Sequence, residues 1–289
     1  MGFSSEFPYK FDDSVKFKNT YKPTLIKSVE HFKEITDDIS GKIVAGDTET
    51  DGLNADIHHV VGFSFSTSSY NGYYIPLRHN LGNIVESEEE LNKFFPILFD
   101  FIYRNNWLFY NWVFDAQMLR KDGLIVSDVR VQDVLAYVFN SDTNIKANNL
   151  KWAAEQYLNR KSPTYAETVG GKEISFDMLL PEEAYDYACQ DTANTYALFL
   201  FFNKTLLPVC KKVLKIDCNL VKAVADYYAP NKITIDNDLM FNVGMELRER
   251  RDEIERKLLK LMGRSVLNAI NLNSPDQVSE VLQEMGIST

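Results

Sequence analysis

Three strand-like runs crowd into residues 42–77, and almost everything downstream of them carries helical periodicity. KIVAG (42–46), HVVGFSFS (59–66) and YYIPL (73–77) are rich in Val, Ile, Phe and Tyr. Gly52-Leu53-Asn54 and Asn71-Gly72 punctuate them, which is the turn chemistry of an antiparallel meander. Residues 21–27 read as a further short strand, and Ser28 as the N-cap of a helix reaching about Asp38. Ser87 and Glu90 then form a capping box ahead of Leu91, Phe94, Phe95, Leu98, Phe101 and Ile102 on one helical face. WLFY (107–110) reads as a short buried strand leading into a helix near Asn111. Helices over 132–140 and 147–159 follow, and then a polar loop over 160–175. Pro181 opens a long helix to about Lys204, with Glu182 and Glu183 suited to its first turn. Strands first, then strands alternating with helices, predict a mixed α/β sheet layered with helices. Hydrophobic residues make up 45% of the 289 and aromatics 13%, enough to fill such a core and to exclude a disordered or collagen-like chain.

Beyond residue 206 the strand pattern stops. Met240, Leu247, Ile254 and Leu261 recur every seven residues, with Val243 and Leu258 in the same stripe. They predict a long amphipathic helix whose apolar side packs on a partner. A last helix is expected from Ser274-Pro275-Asp276-Gln277, a second capping box. The domain reading is a lead-in over 1–20, an α/β domain over 21–205 and a helical segment over 206–289.

Several carboxylates fall where chemistry is possible. Asp47 and Glu49 follow the apolar run Ile43-Val44-Ala45, and period-two alternation points both to one side of the strand end. Like charges so close raise each other's pKa, which a solvated strand end tolerates and a divalent cation relieves. Asn111 and Asp115 lie four apart at a helix start, as an N-cap and a first-turn carboxylate or as a functional pair. Tyr187 and Asp191 lie four apart on a helical face that also carries Ala184, Ala188, Thr195 and Leu198. An Asp in so apolar a stripe needs a partner or a metal.

In this order and setting the three patterns resemble the exonuclease motifs of family A (DNA polymerase I-like) DNA polymerases. VAGDTETDGL (44–53) is similar to the first, NWVFDAQML (111–119) to the second and YACQDTANTYAL (187–198) to the third. DVRVQDVLAYVFN (128–140) and NNLKWAAEQYL (148–158) resemble the family's linking helices, and FNVGMELRERR with INLNSPDQVSEVL its segment entering the polymerase thumb. The resemblance implies a ribonuclease-H-like mixed sheet flanked by helices, followed by an all-α extension. It implies a proofreading 3′–5′ exonuclease using two divalent cations, Mg2+ or Mn2+, held by Asp47, Glu49, Asp115 and Asp191. Tyr187 would orient the attacking water. A related branch has His one residue earlier, where this chain has Asp186, so the tyrosine type is indicated. Leu53 would wedge against the terminal base and Asn111 would contact the strand or a metal-bound water, unless they serve as packing and as a cap. The implied partners are single-stranded DNA or a frayed primer 3′ end, and a polymerase palm and fingers module. The palm and fingers motifs are not present in these 289 residues, so this chain alone is not expected to synthesise DNA.

Charge and cysteine usage bound the rest. The formal charge of −10 lies wholly before residue 206, with 19 basic and 29 acidic side chains there and 12 of each afterwards. Uncorrected, that balance argues against nucleic acid; bound cations at the carboxylates would reverse the local sign. Cys189, Cys210 and Cys218 have no zinc-ligand spacing and suit a reducing compartment. The polar start MGFSSEFPYK and the lack of any apolar run near about 20 residues predict a soluble cytoplasmic protein, with no membrane partner. Two other functions remain open: a ribonuclease-D-like exoribonuclease, and a non-catalytic scaffold docking a polymerase subunit. Further features carry weaker expectations. Phe63, Phe65 and Tyr74 read as core or as base-stacking groups, 170–172 as a plain loop without a P-loop pattern or as a phosphate contact, His58 and His59 as a solvated turn. The Arg and Lys residues of 248–264 read as a solvated face or as contacts to duplex phosphates.

Overall fold

A computed structural model describes residues 21–142, 149–168, 174–231, 234–264 and 270–287. The lead-in over 1–20 and the 170–172 segment lie outside the described residues. The chain forms two compact units, Met1–Asn231 and Lys232–Thr289.

The first unit is built on a six-stranded sheet: β1 (Lys22–Leu25), β2 (Ile43–Thr50), β3 (Val60–Ser66), β4 (Asn71–Pro76), β5 (Asn106–Phe109) and β6 (Arg130–Asp133). Its spatial order is β1-β4-β3-β2-β5-β6. The expected meander forms, with β2, β3 and β4 antiparallel in turn. β1 adds parallel to β4 at one edge, and β5 and β6 add parallel to β2 at the other. The helices are α1 (Val29–Thr36), α2 (Glu88–Tyr103), α3 (Trp112–Lys121), α4 (Val134–Ser141), α5 (Leu150–Leu158), a single turn α6 (Tyr165–Thr168), α7 (Pro181–Thr205) and α8 (Pro208–Ala223).

Strand alternation sorts the core into two layers. Val44, Phe63, Phe65 and Trp107 face one side and pack with Phe32 of α1, Phe94 and Phe101 of α2 and Trp112 of α3. Ala45 and Leu108 face the other and pack with Val134, Tyr157, Leu198 and Phe202 from α4, α5 and α7. Phe63, Phe65 and Tyr74 are fully buried, so the aromatic side chains of β3 and β4 are core and not base-stacking groups. α7 lies close on the sheet: a Cβ on Gly72 of β4 would stand 2.5 Å from the Cβ of Cys189. Ser66 of β3 and Thr192 of α7 share a buried hydrogen bond of 2.7 Å.

The close approach at Gly46 supplies a stability prediction. A Cβ there would lie 2.7 Å from Phe109 Cζ and 2.8 Å from Trp107 Cε3. Both rings are buried and wedged against one another, so neither can yield. Gly46→Ala is expected to cost about 1–3 kcal/mol, the usual penalty of overpacking, read as a lower urea midpoint.

Residues 128–140 differ from the expected linking helix. Residues 130–133 pair with β5 as strand β6, and the helix starts only at Val134. The switch comes at Asp133, whose carboxylate accepts from the Leu135 N–H at 2.9 Å and so caps α4. Asp133 also accepts from the N–H groups of Asn111 (3.0 Å) and Trp112 (2.8 Å), capping α3 from a neighbouring strand. Asn111 itself stands before that helix in a left-handed conformation (φ 74°) with no side-chain cap bond, so it is not a side-chain cap.

The second unit holds α9 (Asn237–Leu261) and α10 (Pro275–Glu284). Asp236 caps α9 by accepting from Leu239 N–H at 2.9 Å. Ser274 stands at the cap position of α10 but makes no side-chain cap bond; Gln277 accepts instead from Asn271 N–H at 2.9 Å. The stripe Met240, Leu247, Ile254 and Leu261 is exposed along α9. Two basic side chains of α9 pair locally, Lys257 with Glu253 and Arg251 with Asp252, as a solvated face does, while Arg264 beyond its end reaches Glu284 of α10 at 2.7 Å.

Candidate active site

The site is assembled at the C-terminal end of β2. Ala45 faces the α7 side of the sheet, so alternation carries Asp47 and Glu49 to the same side. A bulge follows directly: Glu49 opposes Gly62, but Thr50 opposes Val60, leaving Val61 of β3 unpaired. Such bulges bend a strand end and re-aim its side chains. Asp191 comes from α7, in the buried stripe with Ala184, Ala188, Thr195 and Leu198, and is itself buried. One oxygen from each of Asp47, Glu49 and Asp191 lies within 4.8 Å of the others.

Asp115 reaches this end from the opposite face. Thr48, between the two acids of β2, points toward α3. Its N–H and hydroxyl both donate to Asp115 Oδ1, at 3.0 and 2.7 Å. Asp115 is thereby fixed one strand residue from both Asp47 and Glu49, although it does not join their oxygen cluster. Sequence reasoning missed Thr48. The signal available was its position inside D-x-E, whose alternate side faces the helix carrying Asp115.

The electrostatics follow from packing four carboxylates together. Burial first, then the charges of Asp115, Glu49 and Asp191, hold the Asp47 carboxyl well above the ordinary range. Burial and then Asp191 push Glu49 up to about 8. Burial raises Asp115 to about 7, against the hydrogen bonds from Thr48 that favour its charged form. Burial also raises Asp191, opposed by Lys151. Glu49 Oε1 is buried without a hydrogen-bond partner among the described residues. A buried, unsatisfied oxygen beside two other carboxylates is the donor set a hard divalent cation binds.

Tyr187, one turn before Asp191, is half-buried, and its ring faces Phe176 at a centroid distance of 6.1 Å. The Lys151 ammonium of α5 stands 3.9 Å from the Tyr187 ring centroid. It donates to both oxygens of Asp191, at 3.1 and 3.2 Å. Lys151 was a second omission, since nothing in the helical pattern of 147–159 marks that lysine. Leu53 lies on the loop after β2 with 86% of its surface exposed, so it is not a packing residue. Asn111 is exposed at the mouth of α3. His58 and His59 stand nearby and share Asp51, at 3.3 and 3.8 Å.

The sequence model of a family described as 3′-5′ exonuclease matches residues 23–207, which contain every one of these carboxylates. The chain belongs to the 3′–5′ exonuclease family. Members of this family are nucleases, and the sheet and helices above are its ribonuclease-H-like exonuclease fold, followed by helices. The match extends beyond the exonuclease domain. DNA polymerase I of Borreliella burgdorferi is 28% identical over 275 residues, covering 94% of this chain and 28% of the relative. DNA polymerase I of Pseudomonas aeruginosa is 25% identical over 252 residues, covering 84% of this chain and 27% of the relative. The chain thus spans little more than a quarter of the length of these relatives. Among solved structures, the POL domain of Pol1 from M. smegmatis, in complex with DNA primer-template and dNTP, superposes with a TM-score of 0.63. The identity is 13%, covering 90% of this chain and 40% of that one. NrnC from Brucella melitensis gives a TM-score of 0.51 at 14% identity, covering 75% of this exonuclease chain and 99% of NrnC. Among the described residues, no helix is long and apolar enough to cross a membrane.

Proposed function

We propose that this chain removes nucleotides from the 3′ end of DNA, as the proofreading activity that serves a family A polymerase module. The observation that carries the reading is the convergence of Asp47, Glu49 and Asp191 within 4.8 Å, with Asp115 pinned alongside by Thr48. The four carboxylates would hold two divalent cations, Mg2+ or Mn2+; the orphaned Glu49 Oε1 and the raised pKa values fit such ligands. Bound there, the cations would supply the positive charge that activates water and offsets charge building on the phosphate and the departing 3′ oxygen.

The protein's own groups divide the remaining work. Tyr187 shares the α7 face of Asp191, one turn away, and its hydroxyl orients the attacking water. Leu53 offers an uncovered apolar side chain on the loop after β2, suited to wedge against the terminal base. Asn111, exposed in its left-handed turn, contacts the strand. Thr48 keeps the Asp115 carboxylate aimed at the site. The 206–289 segment serves as the base of the polymerase thumb, since the relationship to the two DNA polymerase I relatives extends into it. That extent favours DNA over RNA as substrate.

The test is a 5′-labelled single-stranded DNA oligomer and an RNA of the same sequence, with Mg2+, Mn2+ or excess chelator. Stepwise shortening of the DNA from its 3′ end is expected, with none in chelator. Faster loss of the RNA would instead assign a ribonuclease. Full activity in chelator would remove the metal reading. Tyr187→Phe is expected to lower the single-turnover rate by about 10²-fold, in the range for loss of one proton-handling group, and by less than loss of a carboxylate.

A further inference from the structure

The ammonium of Lys151 is an unusual neighbour for a carboxylate expected to bind metal. It comes from the first turn of α5, just after the cap residue Asn149, and reaches across to α7. There it occupies both oxygens of Asp191 at once, at 3.1 and 3.2 Å, and lies over the Tyr187 ring at 3.9 Å. Tyr187 and Asp191 are one helical turn apart, so a single cation spans the two groups. The pair is largely shielded, with side-chain exposures of 23% for Lys151 and 9% for Asp191. A shielded ion pair repays little of its own desolvation and is weak as a purely structural device. Its position beside a carboxylate cluster supplies a stronger reason for it. The same positive charge also acts favourably on Asp47 and Glu49.

A divalent cation seeks the same Asp191 oxygens that Lys151 holds. Mg2+ binds carboxylate oxygens at about 2.0–2.1 Å. An ammonium hydrogen-bonded to those oxygens would face it across a few Å of shielded space, where like charges repel strongly. The lysine stem is flexible, and its free side opens on a cleft lined by Trp152, Lys161, Ser162, Thr164 and Gln190. The two cations are therefore alternatives at Asp191.

We propose that Lys151 is a positioning residue: it holds Asp191 and Tyr187 in place as the resident countercharge of the cluster, and surrenders Asp191 when a divalent cation binds. This rests on the metal-dependent reading above and deepens it. Antagonism of this kind is reciprocal, so removing the lysine charge strengthens metal binding while weakening the chain in chelator.

The test compares the full chain with Lys151→Met, Lys151→Gln, Lys151→Arg and the control Lys161→Met. Mn2+ affinity is measured by calorimetry, and melting temperature in chelator and in saturating Mn2+. Met and Gln at 151 are expected to bind Mn2+ about 5-fold or more tightly than the parent. They should melt lower in chelator and gain more from Mn2+. Lys151→Gln keeps a hydrogen-bond donor, on a side chain one atom shorter, should Lys151→Met fold poorly. Lys151→Arg keeps the charge and should follow the parent, as should Lys161→Met, which lies on the same cleft but pairs with Glu155. Equal or weaker Mn2+ binding by both neutral variants overturns the handover while leaving the metal reading intact. No Mn2+ binding by the parent overturns the metal reading itself and the handover with it.

Discussion

Asp47→Asn is expected to abolish nearly all 3′-terminal hydrolysis, by about 10³-fold or more, while raising the melting temperature measured in chelator. Both effects have the same origin. Asp47 stands among Asp115, Glu49 and Asp191, and its carboxyl is driven far up by burial and by those charges. Replacing it with a neutral isostere relieves repulsion in the folded chain, so the fold gains. The same change deletes a ligand from the proposed cation site. Metal stabilisation of developing charge is worth several kcal/mol, and about 4 kcal/mol corresponds to a thousandfold in rate. Single-turnover hydrolysis of 3′-labelled DNA in Mg2+, paired with thermal melts in chelator, reads both quantities. Opposite signs for activity and stability separate a catalytic carboxylate from one kept for packing. Activity within tenfold of the parent would remove Asp47 from the machinery.

Stability in chelator is expected to fall as pH rises from about 4 to about 8, and Mn2+ is expected to cancel most of the fall. Glu49 is pushed from its ordinary 4.5 to about 8 and Asp115 from 3.8 to about 7, burial being the first cause in both. Between those values the folded chain keeps protons that the unfolded chain has released. Unfolding free energy therefore decreases with rising pH, the reverse of an acid whose pKa is lowered by folding. Each pKa unit corresponds to about 1.4 kcal/mol, so the combined loss is on the order of several kcal/mol. Against a typical total of about 5–15 kcal/mol, that is a large share. A bound divalent cation supplies the missing countercharge and removes the reason for the protons to stay. Urea unfolding at a series of pH values, with and without Mn2+, measures the slope directly. A flat profile in chelator would mean that the carboxylates are solvated and independent, and a slope of the opposite sign that folding lowers their pKa values; either overturns the expectation.

Much of the arrangement was legible because local rules carried it. Val, Phe and Tyr in 42–77 specified a meander, and Gly and Asn placed its turns. Pro181 with Glu182 and Glu183 marked the start of α7. Period two placed Asp47 and Glu49 together, and period 3.6 placed Tyr187 on the face of Asp191. Strand β6 was missed because four residues of mixed polarity carry no periodicity of their own. They become a strand by pairing with β5, at a long distance in sequence. Asn111 looked like a cap because Asn before a helix normally is one. Asp133 took that task from a neighbouring strand, and a left-handed turn turned the Asn111 side chain away.

From the sequence alone, then, came the class of fold and, through the order of three motifs and their family resemblance, the expectation of which carboxylates form the site. Alternation and helical spacing act over a few residues and set only which side chains share a face. Tertiary structure alone decided how those acids meet. The bulge at Val61 breaks the regular pairing just after Glu49, Thr48 draws Asp115 in from the other face of the sheet, and α7 carries Asp191 across to β2. Only there does burial raise four pKa values together, with the neighbouring carboxylates adding to it at Asp47 and Glu49, and only there does Lys151, from a separate helix, become the countercharge. Such effects scale with distance through a low-dielectric interior, and linear order says nothing of those distances.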